Sequence, residues 1–213
     1  MTYSIRPMEK DDLDQVTDID REAFPTQWPP ANYSQEMNNR LAHYLVAIDD
    51  GRLYVPPEGS EHWSLMSWLK PLLGRGGDSE RRSLPAVRQF IVGFSGIWVL
   101  AEEAHITNIA VREQYRRRGI GELLMLATID LAVELQAVVM TLEVRASNKT
   151  AQVLYEKYGF KEVGVRNGYY LDNREDAVIM TTESIAAETF SERVRRLRAT
   201  LEARLDDERK RPA

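Results

Sequence analysis

The feature that most constrains this chain is a predicted strand, loop and helix between residues 107 and 124. An apolar strand ends at Val111, a polar and basic loop covers residues 112–118, and apolar residues recur at helical spacing from Gly119 onward. A second β-branched strand is predicted over residues 138–144. Because strand, helix and strand in succession form a parallel, right-handed crossover, the helix must begin between the C-terminal ends of the two strands.

The start of this helix has the chemistry of an anion site. Its first backbone N–H groups lack intrahelical partners, and the helix dipole adds partial positive charge. Gly119 and Gly121 remove the Cβ atoms that would hold a phosphate away from the backbone. The residues that we expect to bind the phosphates are Arg116, Arg117, Arg118, Gly119, Ile120, Gly121 and Glu122. The alternative is a tight turn beside a solvated arginine loop.

The spacing Arg116-x-x-Gly119-x-Gly121 after an apolar strand resembles the acetyl-coenzyme A (acetyl-CoA) motif of the GNAT superfamily of N-acetyltransferases. The glycine patterns of P-loops and of dinucleotide folds are absent from the sequence. The resemblance implies an α/β fold with a mixed, mostly antiparallel twisted sheet, a parallel splayed central strand pair and flanking helices. It also implies acetyl-CoA as co-substrate, with its acetyl group held by the backbone of Ile109, Ala110 and Val111.

A second group of residues lies downstream. The segment from residue 142 to residue 160 contains Leu-Glu-Val-Arg-x-Ser-Asn and then Leu-Tyr-x-x-x-Gly-Phe, and it resembles the bacterial ribosomal-protein-alanine N-acetyltransferase branch of that superfamily. The resemblance implies that Glu143 is the general base, that Tyr155 is the general acid, and that Asn148 contacts the pantetheine arm of the co-substrate. We also expect Ser147 to cap the helix that carries Tyr155.

Both catalytic assignments have structural alternatives. In a strand, Glu143 points to the face opposite its two apolar neighbours, so it lies either in a cleft or on the solvent side. On the solvent side it would pair with Arg145, and Tyr155 would be a core tyrosine. A catalytic carboxylate has a clear purpose, because an α-ammonium group with a pKa of about 7.7–8.0 must lose a proton before it attacks a thioester.

Composition narrows the function classes. The chain has 213 residues, a net charge of −5 and no cysteine. A disulfide framework, a thiolate metal site and a cysteine nucleophile are therefore excluded, and the three histidines are too scattered along the sequence to predict a metal site. The net charge gives no reason to expect direct nucleic-acid binding. No apolar run reaches the length of a signal peptide or a membrane span, so we expect a cytoplasmic protein. From the absent cysteines and the scattered histidines we expect no metal cofactor.

The remaining segments set the domain organisation. We expect an acetyltransferase domain over residues 1–183 and a charged helical extension over residues 184–213. An insertion at about residues 52–88, with an apolar first half and a glycine-rich second half, has four open interpretations: a lid, a partner contact, an interfacial helix, or packing on the chain's own core. Trp28 is either part of an acceptor wall or a core aromatic. The apolar stripe of the extension docks on the domain or on a second subunit, which would make a homodimer.

These observations predict acetyl transfer from acetyl-CoA to the N-terminal α-amino group of a protein, by direct attack without a covalent enzyme intermediate. A small-subunit ribosomal protein is the acceptor that the resemblance implies. Two other functions are open. One is acetylation of a lysine side chain or a small-molecule amine, and the other is a non-catalytic module that binds coenzyme A (CoA) and regulates a partner.

Overall fold

In the computed structural model, which describes residues 2–26, 31–56 and 87–210, the fold is built on one seven-stranded sheet. The strand order across the sheet is β1-β2-β3-β4-β5-β7-β6. The strands are β1 (Tyr3–Pro7), β2 (Ala42–Tyr54), β3 (Arg88–Leu100), β4 (Glu103–Val111), β5 (Val139–Arg145), β6 (Phe160–Tyr170) and β7 (Glu175–Thr182). Among the described strands, β4 and β5 pair in parallel and all other neighbours pair antiparallel. The mixed sheet predicted from the sequence is confirmed.

In the described part of the chain, five α-helices pack against this sheet in two groups. The helices are α1 (Leu13–Ala23), α2 (Tyr33–Glu36), α3 (Ile120–Glu134), α4 (Lys149–Lys157) and α5 (Glu188–Lys210). Val16 and Ile19 of α1 share one buried cluster with Phe94 of β3. The other helices that flank the parallel pair, α3, α4 and α5, contribute to a separate and larger cluster. A third cluster joins Ile120 and Leu124 of α3 to β2 and β3. In the ranges that the structure describes, three hydrophobic clusters therefore hold the helices on the sheet.

The parallel pairing of β4 and β5 is short. It runs from Glu103 opposite Val139 to Ile106 opposite Leu142 and no further. Beyond that point β4 stays paired with β3 as far as Val111, and β5 stays paired with β7 to its last residue. Because each strand follows its own antiparallel neighbour, the two separate at their C-terminal ends and leave a gap in the sheet.

Strand β2 is longer than its sequence predicts. The turn sequence Asp49-Asp50-Gly51 predicts a strand that covers residues 44–48 and ends there, yet β2 pairs with β3 again at Leu53 and Tyr54 after an irregularity in register. The Asp49 carboxylate is buried and accepts hydrogen bonds from the backbone of Gly51 and from the Tyr115 hydroxyl, at 3.1 Å each. These bonds hold Asp49 and Gly51 within β2, at the place where its pairing with β3 changes register. The insertion between Tyr54 and Arg88 falls largely on residues 57–86, which lie outside the described residues, as does Trp28.

Helix α5 packs on the chain's own domain. The members of its apolar stripe that are buried in the larger core are Phe190, Val194, Leu201 and Leu205. Arg198 bonds Asp130 at 2.6 Å and Arg204 bonds Glu122 at 2.6 Å, so α5 runs antiparallel to α3. The stripe is thus occupied within the chain, and homodimerisation stays a prediction.

Within the described ranges, we find no helix whose length and apolarity would let it cross a membrane.

Replacing Leu201 with alanine tests how α5 is held. Leu201 is 2% exposed, and loss of its side chain leaves a cavity between α5 and the core. We expect Leu201→Ala to lower the free energy of unfolding by about 2–5 kcal/mol. Urea denaturation measures this change. The neighbouring exposed Glu202→Ala variant serves as the control and should stay within about 0.5 kcal/mol of the original chain. Equal effects in the two variants would contradict this packing.

Candidate functional site

A cleft lies over the paired residues of β4 and β5, beside the place where the two strands separate. Its volume is about 280 Å³, and its lining residues are Glu103, His105, Thr141, Leu142, Glu143, Arg166, Tyr169 and Ile179. The side chains of β5 alternate, so that Leu142 and Val144 are buried in the core while Thr141 and Glu143 point to the other side. The prediction that Glu143 faces away from its apolar neighbours is therefore confirmed.

Glu143 lies in this cleft between a histidine and an arginine. Its side chain is only 10% exposed, and its two oxygens contact His105 Nε2 at 3.0 Å and an Arg166 terminal nitrogen at 3.1 Å. Arg145, the alternative partner considered from the sequence, instead pairs with Asp172 and Glu175. A carboxylate held in this way is oriented and has little water around it, which suits a group that exchanges protons with a bound ligand.

His105 is a residue that the sequence analysis left without a role. Its Nδ1 lies 2.9 Å from the Thr141 hydroxyl, which lies 2.6 Å from a Glu103 carboxylate oxygen. Because the Thr141 proton goes to Glu103, Nδ1 must donate to Thr141, and Nε2 faces Glu143. The sequence predicted that two strands pair in parallel, but its periodicity does not show the register of that pairing. The register places His105 opposite Thr141. Over the described residues, no three histidine, aspartate or glutamate side chains form a metal-ligating group.

Tyr155 lies on α4 and is half-buried against the larger core, with its ring centroid 5.9 Å from that of Phe160. Burial raises the pKa of its hydroxyl to about 12, and nearby Tyr170 adds to the shift. Burial likewise raises the pKa of Tyr170 to about 12, against the influence of Arg145 and with a contribution from Glu143. Tyr170 thus interacts electrostatically with both Glu143 and Tyr155.

The predicted phosphate site keeps the geometry of an open helix start. Gly119 precedes α3 with φ +79°, and Arg117 also has positive φ. A Cβ on Gly121 would find its nearest neighbour, Leu154 Cδ2, only at 3.9 Å, so the space in front of the first turn is free to receive a phosphate. Arg116, Arg117 and Arg118 are exposed around it. The residues here fit the pyrophosphate of acetyl-CoA.

Glu122 is arranged differently from its neighbours in this segment. Its backbone N–H donates to the Gly119 carbonyl, and its carboxylate accepts bonds from Lys157, Arg204 and the Tyr158 hydroxyl. Burial alone would raise the pKa of Glu122, but the bonds from Lys157 and Arg204 outweigh it and lower the pKa. Both groups of Glu122 are therefore occupied by the chain itself, and this residue joins α3 to α4 and α5.

Asn148 is the N-cap of α4, because its side-chain oxygen accepts a bond from the backbone N–H of Ala151 at 3.2 Å. The prediction that Ser147 would be the cap is wrong. The Ser147 backbone N–H instead donates to Glu175 at 2.7 Å, which ties the residue to β7. Contact between Asn148 and the pantetheine arm stays a prediction.

Comparisons with known proteins agree with this geometry. The Acetyltransferase (GNAT) family matches residues 71–160. A Bacillus subtilis protein, provisionally assigned as a ribosomal protein bS18-alanine N-acetyltransferase, is 33% identical over 178 residues, covering 83% of this chain and 93% of the relative. An N-alpha-acetyltransferase of Sulfurisphaera tokodaii is 35% identical over 181 residues, covering 84% and 91%. The crystal structure of the Escherichia coli ribosomal-protein-S18-alanine N-acetyltransferase matches with a TM-score of 0.61 and 26% identity over 88% of this chain and 97% of that one.

Replacing each of the two glycines at the start of α3 with alanine should change the free energy of unfolding in opposite directions. Gly119 has φ +79°, and a Cβ there would lie 3.1–3.2 Å from the side chains of Leu201, Arg204 and Leu205. We expect Gly119→Ala to lower the free energy of unfolding by about 1–3 kcal/mol. Gly121 is inside the helix with open space beside it, so Gly121→Ala should raise stability by about 0.5–1 kcal/mol. Denaturant titration of both variants checks this, and equal shifts would contradict the described helix start.

Proposed function

This chain belongs to the GNAT family of acetyltransferases, and on that premise we propose that it acetylates the N-terminal α-amino group of a protein, with acetyl-CoA as acetyl donor. The acceptor that we propose is a small-subunit ribosomal protein with an N-terminal alanine, since the compared proteins include enzymes named for that reaction. The observation that carries the proposal is the position of Glu143, a largely buried carboxylate in the cleft beside the place where β4 and β5 separate.

The co-substrate would be held at both of its ends by backbone groups. Residues 119–121 would receive the pyrophosphate at the start of α3, assisted by Arg116, Arg117 and Arg118. The Arg112 N–H donates to β3, and N–H direction alternates along a strand, so the N–H groups of Ile109 and Val111 face the gap. Donors of this kind can bind the acetyl carbonyl and stabilise the oxyanion that forms on attack, by about 3–4 kcal/mol for each donor.

Glu143 would take the proton from the acceptor amine, directly or through one water. The Arg166 guanidinium contacts one of its oxygens, but this side chain is 53% exposed and can move away when an ammonium group arrives. The other oxygen contacts His105 Nε2 at 3.0 Å. His105 therefore holds the carboxylate in place while the proton is transferred.

Tyr155 would protonate the departing CoA thiolate. Burial keeps the pKa of its hydroxyl at about 12, so the proton stays on the phenol throughout the neutral range. The same burial makes the phenol a weaker acid, because proton transfer is most effective when the donor pKa is near the working pH. We therefore assign Tyr155 a smaller share of the rate than Glu143.

The paired roles can be tested with two conservative variants. Glu143→Gln should lower kcat by about 10²-fold or more, and Tyr155→Phe by about tenfold, because each removes one proton-transfer group without changing its shape. The affinity for acetyl-CoA, measured by calorimetry, should stay within about twofold in both. Glu162→Gln on β6, an exposed carboxylate, is the matched control. Full activity of Glu143→Gln would overturn its assignment as the base.

The acceptor class is tested with one peptide in three forms: a free N-terminal alanine, the same peptide with its N-terminus blocked, and a free peptide in which alanine is replaced by another residue. Each peptide carries an internal lysine. Mass spectrometry should find the acetyl group on the α-amine of the alanine peptide and no acetylation of the blocked one. Acetylation of the blocked peptide would favour lysine as acceptor. Binding of CoA without any acetylation would favour a regulatory module.

A further inference from the structure

Arg145, the last residue of β5, joins three segments at one end of the sheet. One terminal nitrogen donates to Asn173 and Glu175 at 3.2 Å each. The other donates to both oxygens of Asp172 at 3.0 and 3.1 Å and lies 3.4 Å from the Thr26 hydroxyl. Thr26 follows α1, whereas Asp172 and Asn173 lie in the turn between β6 and β7. One guanidinium group therefore connects β5 to two segments that are distant in sequence.

The same guanidinium covers Tyr170. Its central carbon lies 3.9 Å from the centroid of the Tyr170 ring, a distance at which a cation and an aromatic face attract each other. The Tyr169 ring meets Tyr170 edge to face at 5.2 Å, and Tyr169 lines the cleft that holds Glu143. The rings of Tyr170 and Tyr169 thus connect Arg145 to the candidate active site.

Asp172 strengthens the connection between the segment after α1 and the turn between β6 and β7. Hydrogen bonds from Thr26 and from Arg145 lower the pKa of the Asp172 carboxyl, and bonds from Ser147, Asn173 and Arg145 lower that of Glu175 to about 2. Both carboxylates are therefore ionised at neutral pH, and together they can balance the charge of Arg145. Both terminal nitrogens of Arg145 already have partners within the chain, which makes a direct contact with substrate unnecessary for its role.

We propose that Arg145 is a positioning residue for the acceptor: it fixes Tyr170, on which Tyr169 packs, and joins Thr26 to the turn between β6 and β7. Tyr169 lines the cleft in which the acceptor amine would meet Glu143. The inference rests on the proposed acetylation of a peptide amine and adds to it the residue that sets the shape of the acceptor site. Removal of the guanidinium should loosen both segments while the co-substrate site at the start of α3 keeps its geometry.

The proposal predicts that the two substrates respond differently. Arg145→Ala should raise KM for the alanine peptide by about tenfold or more and leave KM for acetyl-CoA within about twofold. Arg145→Lys should fall between Arg145→Ala and the original enzyme, because lysine keeps the charge but lacks the planar fork that bonds several oxygens and stacks on a ring. A merely structural role would change both KM values together, or would lower only the melting temperature.

Arg198→Ala is the matched control. Arg198 also places one terminal nitrogen between the two oxygens of an aspartate, Asp130, at 2.6 and 2.8 Å, but on the helices α3 and α5. We expect its loss to leave both KM values within about twofold. Asp172→Asn lies in an exposed turn and tests the same connection with less risk to folding. It should also raise the peptide KM, and the Arg145→Ala, Asp172→Asn double variant should show less than the product of the two single effects.

The outcomes of these assays separate the positioning role from the proposed function. A wild-type enzyme that acetylates no peptide α-amine would refute the proposed function itself. If the wild-type enzyme acetylates the peptide but Arg145→Ala keeps the wild-type peptide KM, the positioning role is refuted and the function stands. A parallel rise in both KM values, or a peptide KM that rises equally in Arg198→Ala, also overturns the positioning role. A rise in the peptide KM confined to the Arg145 and Asp172 variants supports it.

Discussion

The short parallel pairing between β4 and β5 is the constraint on which the rest of the site depends. The two strands are paired only as far as Ile106 and Leu142, after which each stays paired with its antiparallel neighbour alone. Backbone donors that would otherwise be used in the sheet then face a gap, and the cleft that holds His105, Thr141 and Glu143 lies beside it. The crossover helix α3 begins at the same end of the sheet, so the groups that we propose to bind phosphate and acetyl belong to one continuous segment of chain.

The side chains around this gap divide into two electrostatic groups. At the cleft, Glu143 is held between His105 and Arg166, and a hydrogen-bonded series continues through Thr141 to the exposed Glu103. At the start of α3, exposed arginines surround open backbone N–H groups, while Glu122 is neutralised by partners on α4 and α5. A carboxylate is thus available where we propose that a proton is accepted, and positive charge predominates where we propose that phosphate binds.

Much of this arrangement could be predicted from the sequence, because it depends on local patterns. The β-branched strands and the glycines before α3 predicted the parallel crossover, and the alternation around Glu143 predicted the orientation of its carboxylate. The mixed sheet was implied by the resemblance to the GNAT superfamily. Features that depend on register or on distant contacts could not be predicted. The partnership of His105 with Glu143 requires a strand register, and the continuation of β2 past Asp49 requires a buried bond from Tyr115. The choice of Asn148 over Ser147 as a helix cap depends on a contact with Glu175 that no local pattern shows.

The central claim is that the acetyl donor occupies the gap between β4 and β5. Amide hydrogen exchange, measured with and without acetyl-CoA, tests it most directly, because it reports on the backbone groups themselves. If acetyl-CoA binds in this gap, exchange should be slower at residues 109–111 and 119–121 in its presence. Unchanged exchange at both segments, together with protection elsewhere, such as the groove between α3 and α5 lined by Ile129 and Val194, would contradict binding in the gap.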